Sequence, residues 1–177
     1  MKRINIAAAM IVGSAAVFAS AAYASGPTGG TTPVTAPQDT IDIGLQVLDE
    51  CTIATHDIDF GTTGLIPNNI DTSTTVDIEC TDGTAYAIGL DQGGNDNSGV
   101  RRLKSGSNYV NYDLSSQSDY SATWGNTATH TVTGIGTDSP VQIPLYARVL
   151  QHQNVPIGTY TDTVTATIWY GTDVTGH

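Results

Sequence analysis

The sequence predicts an all-β fold, and three observations carry that reading. From residue 39 onward the chain is a series of short runs in which apolar and polar residues alternate, the period-2 signature of half-buried strands. Turn residues break these runs at short intervals. No stretch of ten residues or more holds a 3.6-residue apolar period, and Thr, Val, Ile and Tyr dominate where Lys and Glu are scarce. Roughly seven short strands at this spacing describe a β-sandwich of immunoglobulin-like size.

The chain of 177 residues opens MKRINIAAAMIVGSAAVFASAAYA. Lys2 and Arg3, an alanine-rich apolar stretch and the small-x-small site Ala22-Tyr23-Ala24 predict a secretory signal peptide over residues 1–24. Its removal leaves roughly 150 residues, one domain with a single core. No later segment approaches the run of about 20 apolar residues that spans a membrane. The formal net charge is −11, and all 17 acidic residues follow Ala24. Such a balance excludes a nucleic-acid partner, which needs a basic footprint.

Residues 25–38 (SGPTGGTTPVTAPQ) read as a flexible linker. Then "DTIDIGLQV", residues 39–47, alternates cleanly. Ile41, Ile43, Leu45 and Val47 share one face; Asp42, Gly44 and Gln46 share the other. "TTVDIEC" (74–80) is a strand, "TDG" (81–83) a tight turn and "AYAIGL" (85–90) the returning strand. "DQGGNDNSG" (91–99) is a loop. "NYVNYDL", "TATHTVTGIG" and "VQIPLYARVL" follow as strands, and "GTYTDTVTATIWY" (158–170) is the last. Counted from Cys51, the pattern is one strand short of a sandwich, with a spare strand in front. A missing strand leaves a groove and two unpaired backbone edges, which attract other chains. Residues 39–47 either complete their own sandwich or pair with another molecule.

Two cysteines in an exported chain, Cys51 and Cys80, predict one disulfide. The oxygen-rich loop from Asp91 does not fit an EF-hand, because Arg102 stands where the twelfth-position acid is required. His56, His130, His152 and His177 show no metal spacing, and no Gly-x-Ser-x-Gly elbow is present. The chain is expected to be no enzyme and to need no metal or cofactor. Arg101, Arg102 and Lys104 gather three of the four basic residues beyond the leader, a candidate patch for an acidic neighbour.

"CTIATHDIDFG", "VDIECTDGTAYAIGLDQG", "RRL", "YDL", "WG", "PLYARV" and "PIGTYTDTVTATIWY" occur in this order between residues 51 and 170. In this the chain resembles the spore coat protein U domain family, which includes subunits of archaic chaperone–usher pili of the Csu type. The resemblance implies an incomplete immunoglobulin-like β-sandwich completed by a donor strand from a neighbouring subunit. It implies a division into donor strand 39–48, pilin domain 49–170 and C-terminal tail 171–177. Ile41, Ile43, Leu45 and Val47 would then fill a neighbour's groove. Trp169, of opposite parity to Val164, Ala166 and Ile168, would face another subunit, and Trp124 would be structural. The implied partners are identical or related pilin subunits in a head-to-tail polymer, a periplasmic chaperone and an outer-membrane usher. The implied route is export through the periplasm to a surface fimbrium used in adhesion and biofilm formation. A secreted spore-coat or matrix protein of the same family and a monomeric secreted binding module are the alternatives. The tail past Tyr170 departs from the family pattern, in which the last strand lies close to the C-terminus.

Overall fold

The computed structural model describes residues 36–175. The predicted signal peptide, the linker up to residue 35 and the last two residues of the tail lie outside the described residues. The chain divides into two compact units, Met1–Ile43 and Gly44–His177. Within the first, residues 36–43 form no regular secondary structure, and Ile41 and Ile43 are exposed.

Among its described residues the second unit holds eight strands: β1 Cys51–Thr55, β2 Ile70–Cys80, β3 Ala85–Leu90, β4 Arg102–Ser105, β5 Asn108–Ser115, β6 Val132–Ile135, β7 Val141–Val149 and β8 Ala166–Tyr170. They build two antiparallel sheets, β1-β2-β7-β5-β4 and β6-β3-β8. A 3-10 helix, Gly171–Thr175, follows β8. The alternation in the sequence is the cause of the layering. Val76 and Ile78 of β2, Val110, Tyr112 and Leu114 of β5, and Leu145, Ala147 and Val149 of β7 point inward. They meet Ile88 and Leu90 of β3 and the wholly buried Trp124. The Trp124 indole N–H donates to the Ile88 carbonyl at 2.9 Å, which satisfies its one polar atom in the core. Its structural role is as the sequence suggested.

The turn at residues 81–84 closes with a hydrogen bond from the Thr84 amide to the Thr81 carbonyl at 3.0 Å. Gly83 takes φ 81° there, a conformation that glycine adopts without a Cβ clash. Cys51 and Cys80 stand directly opposite each other in the β1–β2 register and are joined as the predicted disulfide.

Two predicted strands are shorter than their alternation. "TATHTVTGIG" is a strand only over β6, and "GTYTDTVTATIWY" only over β8. Side chains from Tyr160 to Ile168 still alternate in burial, so residues 160–165 are extended but lack a full ladder.

Trp169 is half-buried, with its ring over Gly89 of β3. A Cβ at Gly89 would stand 2.8 Å from that ring and 2.8 Å from the Asn126 Cα. Backbone cannot give way as a flexible side chain can. Gly89→Ala is therefore expected to lower stability by about 2 kcal/mol, read as the shift in a urea unfolding midpoint.

Candidate functional site

The two sheets do not close along one side. After β1 ends at Thr55, the chain continues to Ile66 without a strand, forming one wall. Residues 155–166, leading into β8, form the other. Between them lies a groove of about 960 Å³. Its floor is the core itself: Val76, Leu90, Val110, Leu114, Leu145 and Val149. Ile58, Phe60 and Ile66 stand on the first wall, and Tyr160, Val164 and Ala166 on the second.

The second wall is a half-paired strand. Thr161 exchanges two backbone hydrogen bonds with Lys104, at 2.9 and 3.1 Å. The Thr163 carbonyl accepts from the Gly94 amide at 3.1 Å, and the Thr165 carbonyl from the Asp91 amide at 3.0 Å. All these bonds use odd-numbered residues, on the edge away from the groove. Successive residues of a strand aim their N–H and C=O to opposite edges. The amides and carbonyls of Asp162 and Val164 thus point along the groove, and no backbone group among the described residues bonds them. An open apolar floor beside an unpaired strand edge is what a missing strand leaves behind.

A hydrogen-bonded polar pair stands within the groove beside its apolar floor. The Tyr112 hydroxyl donates to the Asp162 carboxylate at 2.7 Å, and the Asn95 side-chain amide donates to the same carboxylate at 2.9 Å. Burial and the bond to Asp162 push the Tyr112 hydroxyl well above the ordinary tyrosine value.

The loop from Asp91 is anchored at its start, while residues 96–100 are exposed. The Asp91 carboxylate accepts from the Gly93 and Thr165 amides, each at 2.9 Å, and so pins the loop to the second wall. Burial raises its pKa, but the bonds from Thr165 and Gly93 outweigh that, and it lies below the usual carboxylate range. A depressed folded value gives stability that is complete above the unfolded value of about 4 and is lost as pH falls through the folded one. Acidification below about pH 4 is expected to lower the hydrogen-exchange protection factors, measured against the intrinsic rate at each pH, of the Gly93 and Thr165 amides. Asp91→Asn should remove that pH dependence; an unchanged profile in the variant would refute the assignment.

The candidate basic patch divides. Arg101 is not a surface residue. It is 3% exposed, and its guanidinium donates to the Leu90, Asp91 and Trp124 carbonyls at 2.6–2.9 Å. Those three carbonyls need a multivalent donor inside the fold, and Arg101 supplies it, so it is withdrawn as an inter-subunit contact. Arg102 lies 4.0 Å over the Tyr109 ring and bonds the Asn95 and Asp96 carbonyls. Lys104 is exposed on the edge strand β4.

The four aliphatic residues ahead of β1 lie in no strand. Ile41, Ile43, Leu45 and Val47 are 86%, 93%, 91% and 70% exposed. Residues 48–50, by contrast, are fastened. The Glu50 carbonyl accepts from the Thr81 amide at 3.0 Å, the Leu48 carbonyl from the Thr81 hydroxyl at 3.2 Å, and the Asp49 carboxylate from the Thr84 hydroxyl at 3.0 Å. This neck continues the β1–β2 ladder backward past Cys51. It leaves the body at the pole opposite Tyr160 and Leu65. Among the described residues no group of three or more metal-ligating side chains is assembled, and no helix is long and apolar enough to cross a membrane.

This geometry defines an immunoglobulin-like sandwich with one strand position open. The Spore Coat Protein U domain profile matches residues 38–167, and the chain belongs to that family. Among curated proteins it is similar to "Protein U" of Myxococcus xanthus, 37% identical over 73 residues. Those residues are 40% of this chain and 41% of that protein. Among solved structures it is similar to a chain of the chaperone–tip adhesion subunit pre-assembly complex from the archaic chaperone-usher Csu pili of Acinetobacter baumannii. There the TM-score is 0.52 at 26% identity, over 69% of this chain and 40% of that one. The P pilus rod subunit PapA matches with a TM-score of 0.47 at 14% identity, over 68% of this chain and 99% of that one.

Proposed function

We propose that this chain is a structural subunit of a chaperone–usher surface fibre, in which residues 39–47 of one copy complete the sandwich of the next. The groove carries the reading: it is floored by core side chains and edged by the unpaired amides of Asp162 and Val164. Ile41, Ile43, Leu45 and Val47 offer the matching alternate side chains. Burying four such residues is worth about 1.5–3 kcal/mol each, an upper bound because the empty groove is already partly shielded from water.

The neck favours donation to another molecule. To enter its own groove the segment would have to reverse at residues 48–50, and those residues are fastened to the body by hydrogen bonds to Thr81 and Thr84. Donation in trans is head-to-tail and does not close, so it builds a filament. Before assembly a periplasmic chaperone would cover the groove, and an outer-membrane usher would pass the subunit outward. The predicted signal peptide supplies entry to that route. Adhesion and biofilm formation are the roles such a fibre would serve. The fold offers the chain no catalytic task in this reading.

The test compares three forms exported to an oxidising periplasm. Full-length protein should give ladders on unboiled gels. A chain lacking residues 25–47 should be unstable. The same truncation with residues 39–47 placed after Tyr170 through a short turn should be a stable monomer. A full-length chain that stays monomeric and needs its own segment would overturn the proposal and favour a self-complete binding module. Ladders that form without any chaperone would favour a secreted coat or matrix protein of the same family.

A further inference from the structure

The groove has two unlike ends. At one, β2 and β7 run on to the Ile66–Gln153 bridge, and lips formed by residues 61–65 and 154–158 project beyond it. In an acidic chain, these lips are free of charge. Residues 60–70 and 149–161 contain no Asp, Glu, Lys or Arg. They carry two conspicuous apolar side chains, Leu65 at 79% exposure and Ile157 fully exposed. Beside them stands Lys104, whose backbone bonds Thr161 and whose neighbour Ser105 packs on Gly158. Asp57 and Asp59 lie on the β1 wall before the lip begins.

The opposite pole surrounds the Cys51–Cys80 disulfide and the neck. Asp49, Glu50, Asp82, Asp138 and Asp173 are all exposed there, with no Lys or Arg among the described residues of that end. Leu48, 67% exposed, stands in the middle of it.

We infer that these two poles are a second contact between consecutive copies: the uncharged lips and Lys104 of one seat Leu48 and the acidic neck pole of the next. The inference rests on strand donation in trans, and three features of the chain lead from there. The four residue steps from Val47 to Cys51, where β1 begins, span at most about 13 Å, so the donor's body must abut the acceptor. Entry with Val47 at the lips brings the acidic pole against an uncharged apolar rim. Entry in the other direction would press acidic pole against acidic pole, which like charge disfavours. The rim thus fixes the direction of insertion and stiffens the joint that the donor strand makes. The occupant is a second copy of this chain.

The experiment uses full-length protein carrying Leu48→Cys and Ile157→Cys, with retention of the native disulfide checked by peptide mapping. If the poles meet, mild oxidation of the assembled fibre turns heat-labile ladders into ladders that survive boiling without reductant. Leu48→Cys with Val141→Cys, which lies at the far end of β7, should give none. Lys104→Glu should slow elongation about tenfold at low salt, and Glu50→Lys in the incoming copy should restore much of it. A synthetic peptide of residues 39–47 should bind the Lys104→Glu acceptor unchanged. Fibres that form normally yet do not cross-link, with elongation indifferent to Lys104→Glu, would overturn the pole contact and leave strand donation standing. Absence of any fibre from the parent chain would overturn both.

Discussion

Replacing Arg101 with methionine is expected to lower the stability of the body by about 3–5 kcal/mol, a large share of what a domain of this size possesses. Methionine matches the length of the aliphatic stem but donates nothing. The Leu90, Asp91 and Trp124 carbonyls come from segments that meet only in the folded chain, and all three face the guanidinium. Each buried acceptor left without a donor costs about 1–3 kcal/mol. Arg101→Lys should recover only part, since an ammonium lacks the planar fork that reaches three acceptors at once. Urea denaturation of the strand-grafted monomer is the measurement. A midpoint within error of the parent for the methionine variant would show that water replaces the guanidinium and that Arg101 is dispensable.

Removing the disulfide is the second large effect. Cys51→Ala with Cys80→Ala opens a loop with a sequence separation of 29. A loop of that length gives about 3–4 kcal/mol in the chain-entropy treatment. The loss should be local as well as global. Cys51 begins β1, and the neck is fastened to Thr81 immediately beyond Cys80. Without the covalent clamp, amides of β1 and the neck should exchange sooner than those of the β2–β7 ladder. Hydrogen exchange of the parent and the double variant would measure this. Uniform loss of protection across both sheets would argue against a local clamp.

Much of the fold was legible in the sequence because strand alternation is a local property. β2, β5 and β7 fall where Val, Ile, Leu and Tyr alternate with polar residues, and β3 is a short apolar run after a turn. The turn at residues 81–84 falls where Gly83 supplies a positive φ. The disulfide followed from two cysteines. Alternation overreached at residues 160–165. The pattern states which face is apolar, but ladder hydrogen bonds need a neighbour, and on one edge this segment has none within the described chain. Arg101 was misplaced for a related reason. Next to Arg102 and Lys104 it reads as part of a surface cluster. Its burial is set by three carbonyls distant in sequence.

The lips at the end of the groove left no mark that pattern reading could find. Leu65 and Ile157 are lone aliphatic residues in glycine- and proline-bearing turns, where no period exists to be read. The Tyr112–Asp162 pair joins residues 50 positions apart. The sequence by itself determined the fold class, the inward face of each strand and the covalent clamp, all of which follow from composition and period. Only the tertiary structure decided which backbone edge stays open, which cation is internal and which pole of the body carries the uncharged lips. Those depend on long-range pairing, and pairing is fixed when the whole core closes.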